Sequence, residues 1–244
     1  MKLTTFDETE ASLRTDLAAI HRIFCIEGLN EGTWTHLSCR LGDSDCYLVS
    51  PANTHFSMVN ASSLLLYDSG GHLISGDGLA NHDAVPIHMP IYEARPEARC
   101  ILHFHSPYAT SLTLLRDGRL NTRISQTAAY FHGKVSYMDR YAVPRTNTDE
   151  GRAMAEALGA KKVLFMKNHG LLIVSDSLAE AVVSAYQLER ACQQQIIATS
   201  TQKPFEEMEE TYADQLAAED NNGEPGYFDG MKRLLECNHP NYKL

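Results

Sequence analysis

The stretch Cys100-Ile101-Leu102-His103-Phe104-His105 constrains the fold more tightly than any other part of the chain. It is apolar except for its histidines and runs into Ser106-Pro107, so it reads as a strand followed by a helix through Leu114. Side chains at i and i+2 of a strand share a face, which sets the imidazoles of His103 and His105 side by side.

The surrounding pattern predicts a sheet with helices over it. Leu13, Leu17, Ile20, Ile23 and Phe24 recur at helical spacing within residues 7–28, and Gly28 and Gly32 end that helix. Short β-rich runs follow at Leu37–Leu41, Cys46–Val49 and Leu64–Tyr67, separated by Gly42-Asp43, Ser50-Pro51 and Ser69-Gly70-Gly71. A second helix is expected from near Pro86 to just before Arg95-Pro96. Val163–Met166 and Leu171–Val174 read as buried strands on either side of Asn168-His169-Gly170. Ser177 caps a long helix reaching about Thr199. Helices and strands that mix without regular alternation place the chain in the α/β class. Residues 1–203 are read as one domain, and 204–244, which turn acidic and polar, as an extension packing on it.

At 244 residues the chain can bury roughly 70–75% of its unfolded surface, enough to fold without staples. Its net charge of −10 argues against a nucleic-acid partner, which would call for a basic patch. Acids interrupt the first twenty residues, and no apolar run approaches a membrane span, so a cytoplasmic protein with no membrane partner is expected. The six cysteines are scattered without a C-x-x-C pair and read as reduced thiols.

Histidine is the conspicuous residue, with 11 copies. His169, at the mouth of a buried strand and followed by glycine, is a third ligand candidate beside His103 and His105. Three neutral imidazoles hold Zn, Mn, Fe or Co while leaving positions open, as in a catalytic rather than a structural site. His36 is expected to line the pocket, with His55, His132 and Tyr141 as weaker candidates. His88, which faces Tyr92 one helical turn on, lies under the site or at its edge. His21, His72 and His239 are expected at the surface.

Several segments in order carry a resemblance. They are Gly32-Thr33-Trp34 with His36-Leu37-Ser38, Tyr47-Leu48-Val49-Ser50-Pro51, Ala61-Ser62-Ser63-Leu64, and His88 with Ile91-Tyr92-Glu93-Ala94-Arg95-Pro96. His103-Phe104-His105-Ser106, Lys167-Asn168-His169-Gly170 and Leu188-Glu189-Arg190-Ala191-Cys192 complete the set. Over about Glu31 to Thr199 the chain resembles the class II aldolase/adducin head family, in its bacterial adducin-like branch. The resemblance implies a three-layer α/β/α fold around a mostly antiparallel sheet, and a homotetramer with its site at subunit interfaces. It also implies a divalent metal, Zn in the first instance, on His103, His105 and His169.

The chain departs from the sugar-phosphate aldolases of that family. Ala84 stands where they carry a catalytic glutamate, and His82 and Asp83 where they carry two phosphate-binding serines. Ala52-Asn53 replaces a small threonine-glycine pair, and His36 an asparagine. An aspartate beside the phosphate cradle would repel the anion, so a substrate without phosphate is expected. Asp83 or His82 then serves as the acid or base, and His36, Asn53 and His88 meet the substrate. The leading expectation is a metal-dependent lyase, an aldolase or decarboxylase, acting on a small hydroxy or keto acid or carbonyl compound. The alternatives are a tris-histidine enzyme of another type, a dehydratase or Fe(II) oxygenase, and a non-catalytic adducin-like assembly domain.

Overall fold

The computed structural model describes residues 9–140, 148–219 and 225–244. The strands are β1 (His36–Arg40), β2 (Cys46–Val49), β3 (Leu65–Asp68), β4 (Leu73–Ser75), β5 (Cys100–Phe104), β6 (Val135–Met138), β7 (Val163–Met166) and β8 (Leu171–Ser175). They form one sheet in the order β4-β3-β2-β1-β5-β8-β7-β6. Each neighbouring pair is antiparallel except β6 with β7. The expected mostly antiparallel sheet is therefore present, and β5 lies near its middle.

Helices cover both faces. The helices are α1 (Glu10–Ile26), α2 (Ala84–Ala94), α3 (Pro107–Leu114), α4 (Gln126–Ala129), α5 (Thr148–Leu158), α6 (Leu178–Thr199), α7 (Glu210–Ala218) and α8 (Pro225–Asn238). One core joins Leu17, Ile20 and Phe24 of α1, Leu112 of α3 and Leu188 of α6 to Leu37, Leu102 and Phe104 of the sheet. The other joins Ile87 and Ile91 of α2 and Met154 and Leu158 of α5 to Val49, Ile101, Leu164 and Leu172. Alternation along β5 makes this two-sided burial possible, and each fully buried Leu, Ile or Phe contributes about 1.5–3 kcal/mol. This is the three-layer α/β/α architecture.

Within residues 204–244, α7 packs against α4, and α8 packs against α1 and α6. Phe228, Leu235 and Tyr242 are buried in the first core. The run Asn221–Gly226, expected from its Asn, Gly and Pro content to be a loop, lies outside the described residues as far as Glu224, and its last two residues instead open α8 at Pro225, proline being suited to a helix's first turn.

Local chemistry explains the helix boundaries. The Thr9 side chain accepts the Ser12 N–H at the start of α1. At its end Gly28 takes a φ of 68°, and the Leu29 N–H reaches back to the Phe24 carbonyl at 2.8 Å, closing the left-handed stop that a side chain would strain. Helix α2 begins at Ala84 rather than Pro86, because proline, lacking an N–H, is as well suited to the rest of the first turn as to its start. Ser177 caps α6 through the Glu180 N–H, as expected.

His21 corrects the sequence expectation, being fully buried rather than at the surface. It shares the apolar face of α1 with Leu17, Ile20 and Phe24, and its ring lies edge-on to Phe56 at 4.6 Å. Its Nδ1–H donates to the Leu17 carbonyl at 2.7 Å, and its Nε2 accepts from the Ser50 hydroxyl at 2.7 Å. Burial pulls its pKa down to about 4 from the usual 6.5. On acidification the unfolded chain takes up this proton before the folded one does. The stability contributed by the neutral ring is complete above about pH 6.5 and is lost as pH falls toward 4, by about 3 kcal/mol. Urea unfolding between pH 7 and 4.5 should show that loss. His21→Gln should lower stability at pH 7 and flatten this part of the pH dependence.

Candidate metal centre

The cluster forms at one end of β5. Cys100, Leu102 and Phe104 face α1, α3 and α6, so Ile101 and His103 face α2 and α5. His103 is paired with His36 of β1 on one edge and with Leu172 of β8 on the other. His105 continues on the same face just past the strand, its ring 4.9 Å from that of His103.

His169 enters from the turn between β7 and β8. Asn168 holds a φ of 55°, a left-handed conformation that asparagine tolerates better than most residues. Gly170 is required for a different reason. A Cβ there would lie 2.3 Å from the His105 ring and 2.8 Å from the Phe104 carbonyl oxygen, so glycine lets the turn close against the ligand strand. The His169 ring comes to 5.0 Å from that of His103 and 4.9 Å from that of His105. Among the described residues, His103, His105 and His169 form a set whose ligand atoms all lie within 4.8 Å of one another, and no carboxylate joins that set.

The ring nitrogens are already sorted. His103 Nδ1 faces the Leu171 carbonyl at 2.9 Å and must carry the proton. His105 Nδ1 donates to the Glu31 carboxylate at 2.6 Å. The two Nε2 atoms then point at each other, 3.2 Å apart. Burial, followed by neighbouring histidines, pushes the His103 pKa well down, and the same causes bring His169 to about 4. The His103 and His169 rings are therefore neutral near pH 7, and with His105 Nε2 beside them this donor set fits a divalent ion that takes imidazole. Because the carboxylate of Glu31 accepts from His105 Nδ1 and so fixes its tautomer and orientation, Glu31→Gln should weaken Zn(II) or Co(II) affinity about 10–100-fold in a competition titration.

A cavity of about 850 Å³ opens over the cluster. His36, Asn53, His82 and Asp83 all line it. His82 Nε2 lies 3.1 Å from the Asp83 carboxylate, with the histidine side chain largely exposed. Asn53 sits in the left-handed region at a φ of 56°. His88 corrects the expectation of substrate contact: it is fully buried and does not line the cavity. Its Nε2 meets His36 Nδ1 at 2.9 Å and its Nδ1 meets the Ser38 hydroxyl at 2.6 Å, which is 2.9 Å from the Tyr92 hydroxyl. It orients His36 from behind.

Of the weaker candidates, His55 caps a short turn through the Ser57 N–H, and His132 bonds the Thr122 hydroxyl. Neither lines the cavity, and Tyr141 lies outside the described residues. Two carboxylates that sequence reasoning did not single out belong to this region: Glu31, and the buried Glu150 of α5, which lines the cavity. Neither stands at a telling distance from the histidine motifs in the sequence. Trp34 and Leu79 form an exposed apolar lip.

Residues 15–196 match the family described as Class II Aldolase and Adducin N-terminal domain. A Caulobacter vibrioides protein named for the class 2 aldolases is 32% identical over 195 residues, covering 79% of this chain and 75% of that one. Rat alpha-adducin is 31% identical over 196 residues, which span 78% of this chain but 26% of the adducin. The L-fuculose 1-phosphate aldolase structure from Glaciozyma antarctica is similar with a TM-score of 0.84 at 27% identity, covering 99% of this chain and 96% of that one. The histidine cluster, the sheet that carries it and these similarities agree: the chain belongs to the class II aldolase and adducin N-terminal domain family.

Proposed function

We propose that this protein is a divalent-metal-dependent lyase of the aldolase or decarboxylase type, acting on a small non-phosphorylated hydroxy or keto acid or carbonyl compound. The observation that carries this reading is the convergence of three imidazoles, with ligand atoms within 4.8 Å of one another, under an open cavity. Its similarity to a protein named an L-fuculose 1-phosphate aldolase supports the reaction class. Phosphate is disfavoured because Asp83 faces the cavity and no Lys or Arg is among its described lining residues.

His103, His105 and His169 would hold the ion, Zn being the first choice for an all-imidazole set. When bound, it polarises a carbonyl or carboxylate oxygen and offsets the negative charge that develops as a C–C bond breaks. The protein supplies the remainder. His36, fixed by His88, and Asn53 orient the substrate oxygens, while the His82–Asp83 pair at the cavity wall serves as the base that takes the proton of the substrate hydroxyl as the C–C bond breaks. In this reading the protein works in the cytoplasm as a homotetramer, with 204–244 as an extension of the 1–203 domain.

The second reading, a non-catalytic assembly domain, is favoured by Ala84 and by the similarity to alpha-adducin. Elemental analysis of the purified protein, followed by retro-aldol and decarboxylation assays on hydroxy and keto acids with that metal, separates the two. Bound metal with turnover supports the lyase, whereas metal-free protein inert in every assay supports the assembly domain.

A further inference from the structure

We propose that Glu150 is the catalytic base of this site, delivering from α5 the carboxylate that Ala84 does not provide from α2. The inference rests on the lyase reading above and adds a residue to it. Three observations meet at this point. Glu150 is only 7% exposed, yet it is one of the residues lining the cavity over the histidine cluster. It comes from the helix that packs against α2, on the face of the sheet toward which His103 points. And the next residue, Gly151, lets that helix approach closely: a Cβ there would meet the Pro86 carbonyl oxygen at 2.4 Å and the Ile87 carbonyl oxygen at 2.8 Å.

Proline makes that approach feasible from the other side. Pro90 lies inside α2 and has no N–H to donate to the Pro86 carbonyl four residues earlier, so the backbone there is free of the usual helical bond. The first turn of α5 thus seats against α2 beside Ile87, which also lines the cavity, while the neighbouring Ala84 is a small, fully buried side chain. What one helix lacks, the facing helix brings within the same walls.

Glu150 also differs from the Asp83 expected from the sequence. Asp83 shares its carboxylate with His82 and keeps 27% of its side chain exposed, whereas Glu150 is held on a helix in a drier setting. Because Glu150 lies outside the set of groups that close on one another within 4.8 Å, it is assigned to proton transfer and not to metal ligation. In the condensation direction its carboxylate takes a proton from the carbon beside the substrate carbonyl, the C–H electron pair forms the new C–C bond, and the oxygen of the attacked carbonyl is protonated from the His82–Asp83 pair. In cleavage the steps reverse: the hydroxyl proton leaves to that pair, the C–C bond breaks as the new C=O forms, and the Glu150 carboxyl returns a proton to the carbon left with the bond's electron pair, so the reaction is redox-neutral.

The test is proton exchange, which needs no knowledge of the natural substrate. Full-length protein loaded with Co(II) is incubated with dihydroxyacetone in D2O, and loss of the carbon-bound protons is followed by NMR. Wild type should exchange them, Glu150→Gln should be at least about 100-fold slower, and Glu150→Asp should recover about tenfold over the Gln variant. The visible absorption bands of bound Co(II), and its affinity within about threefold, should be the same in all three. Equal exchange by wild type and Glu150→Gln, or by the Asp and Gln variants, overturns the assignment but leaves the lyase reading standing. Altered Co(II) bands in Glu150→Gln would make Glu150 a ligand and also overturn it. Wild type that binds Co(II) but exchanges nothing overturns this assignment, while the lyase reading is decided separately by the retro-aldol and decarboxylation assays.

Discussion

Replacing His103 with alanine should weaken divalent-metal binding on the order of a thousandfold and remove all metal-dependent turnover. The estimate takes one ligand as about a third of the roughly 10–16 kcal/mol with which proteins bind structural zinc. Burial makes the loss hard to repair. His103 is 2% exposed at the base of the cluster, and its Nδ1–H is committed to the Leu171 carbonyl, so its Nε2 is held in a fixed place that an alanine leaves empty. Thermal unfolding with and without Zn(II) gives a readout independent of any substrate. Wild type should gain about 4 kcal/mol at a metal concentration a thousand times its Kd, and the variant only about 0.4 kcal/mol. An equal gain in both would move the metal site elsewhere.

Glu189→Ala should cost about 3–5 kcal/mol in stability, the largest effect expected from a residue outside the cavity. Glu189 belongs to α6 and is 3% exposed. Its carboxylate accepts the Ser106 hydroxyl at 2.7 Å and the N–H groups of Tyr108 and Ala109, each at 2.9 Å. The first turn of α3 has no cap of its own, because Ser106 at its N-cap makes no capping bond, so the distant glutamate does that work. Alanine would leave three buried donors without an acceptor. Since Ser106 directly follows His105, the same change should also loosen the ligand pair and weaken Co(II) binding. Urea unfolding and Co(II) titration measure the two effects separately. Glu189→Gln, which keeps one accepting oxygen, should fall between wild type and alanine in both.

What the sequence disclosed depended on how locally each feature is encoded. The central strands β1, β2, β5, β7 and β8 and helices α1, α3 and α6 were legible because apolar period and capping residues lie within one segment. Strand β6 was not, since it sits at the sheet edge and each of its residues is half-buried, which blurs the alternation. Helix α5 was missed where Gly151 interrupts a run of helix formers, although that glycine is what lets the helix pack. The histidine triad was legible because H-x-H and N-H-G are short motifs with strong steric reasons behind them. Glu31 and Glu150 were not, because they meet the cluster only through tertiary structure, from a loop and from a helix on the covering layer. The surface expectation for His21 fails for the same reason: whether a histidine on a helix faces outward depends on partners such as Ser50, which follows β2, 29 residues along the chain.

The pairing of β5 with β8 has a kinetic consequence. His103 and the Leu171 carbonyl that fixes its tautomer are 68 residues apart, so the ligand geometry exists only after a long loop has closed and the middle of the sheet has zipped up. An ion in solution therefore cannot nucleate the fold. It is captured by a finished scaffold, and refolding of the apoprotein should proceed at the same rate whether or not metal is added, with the metal slowing only unfolding.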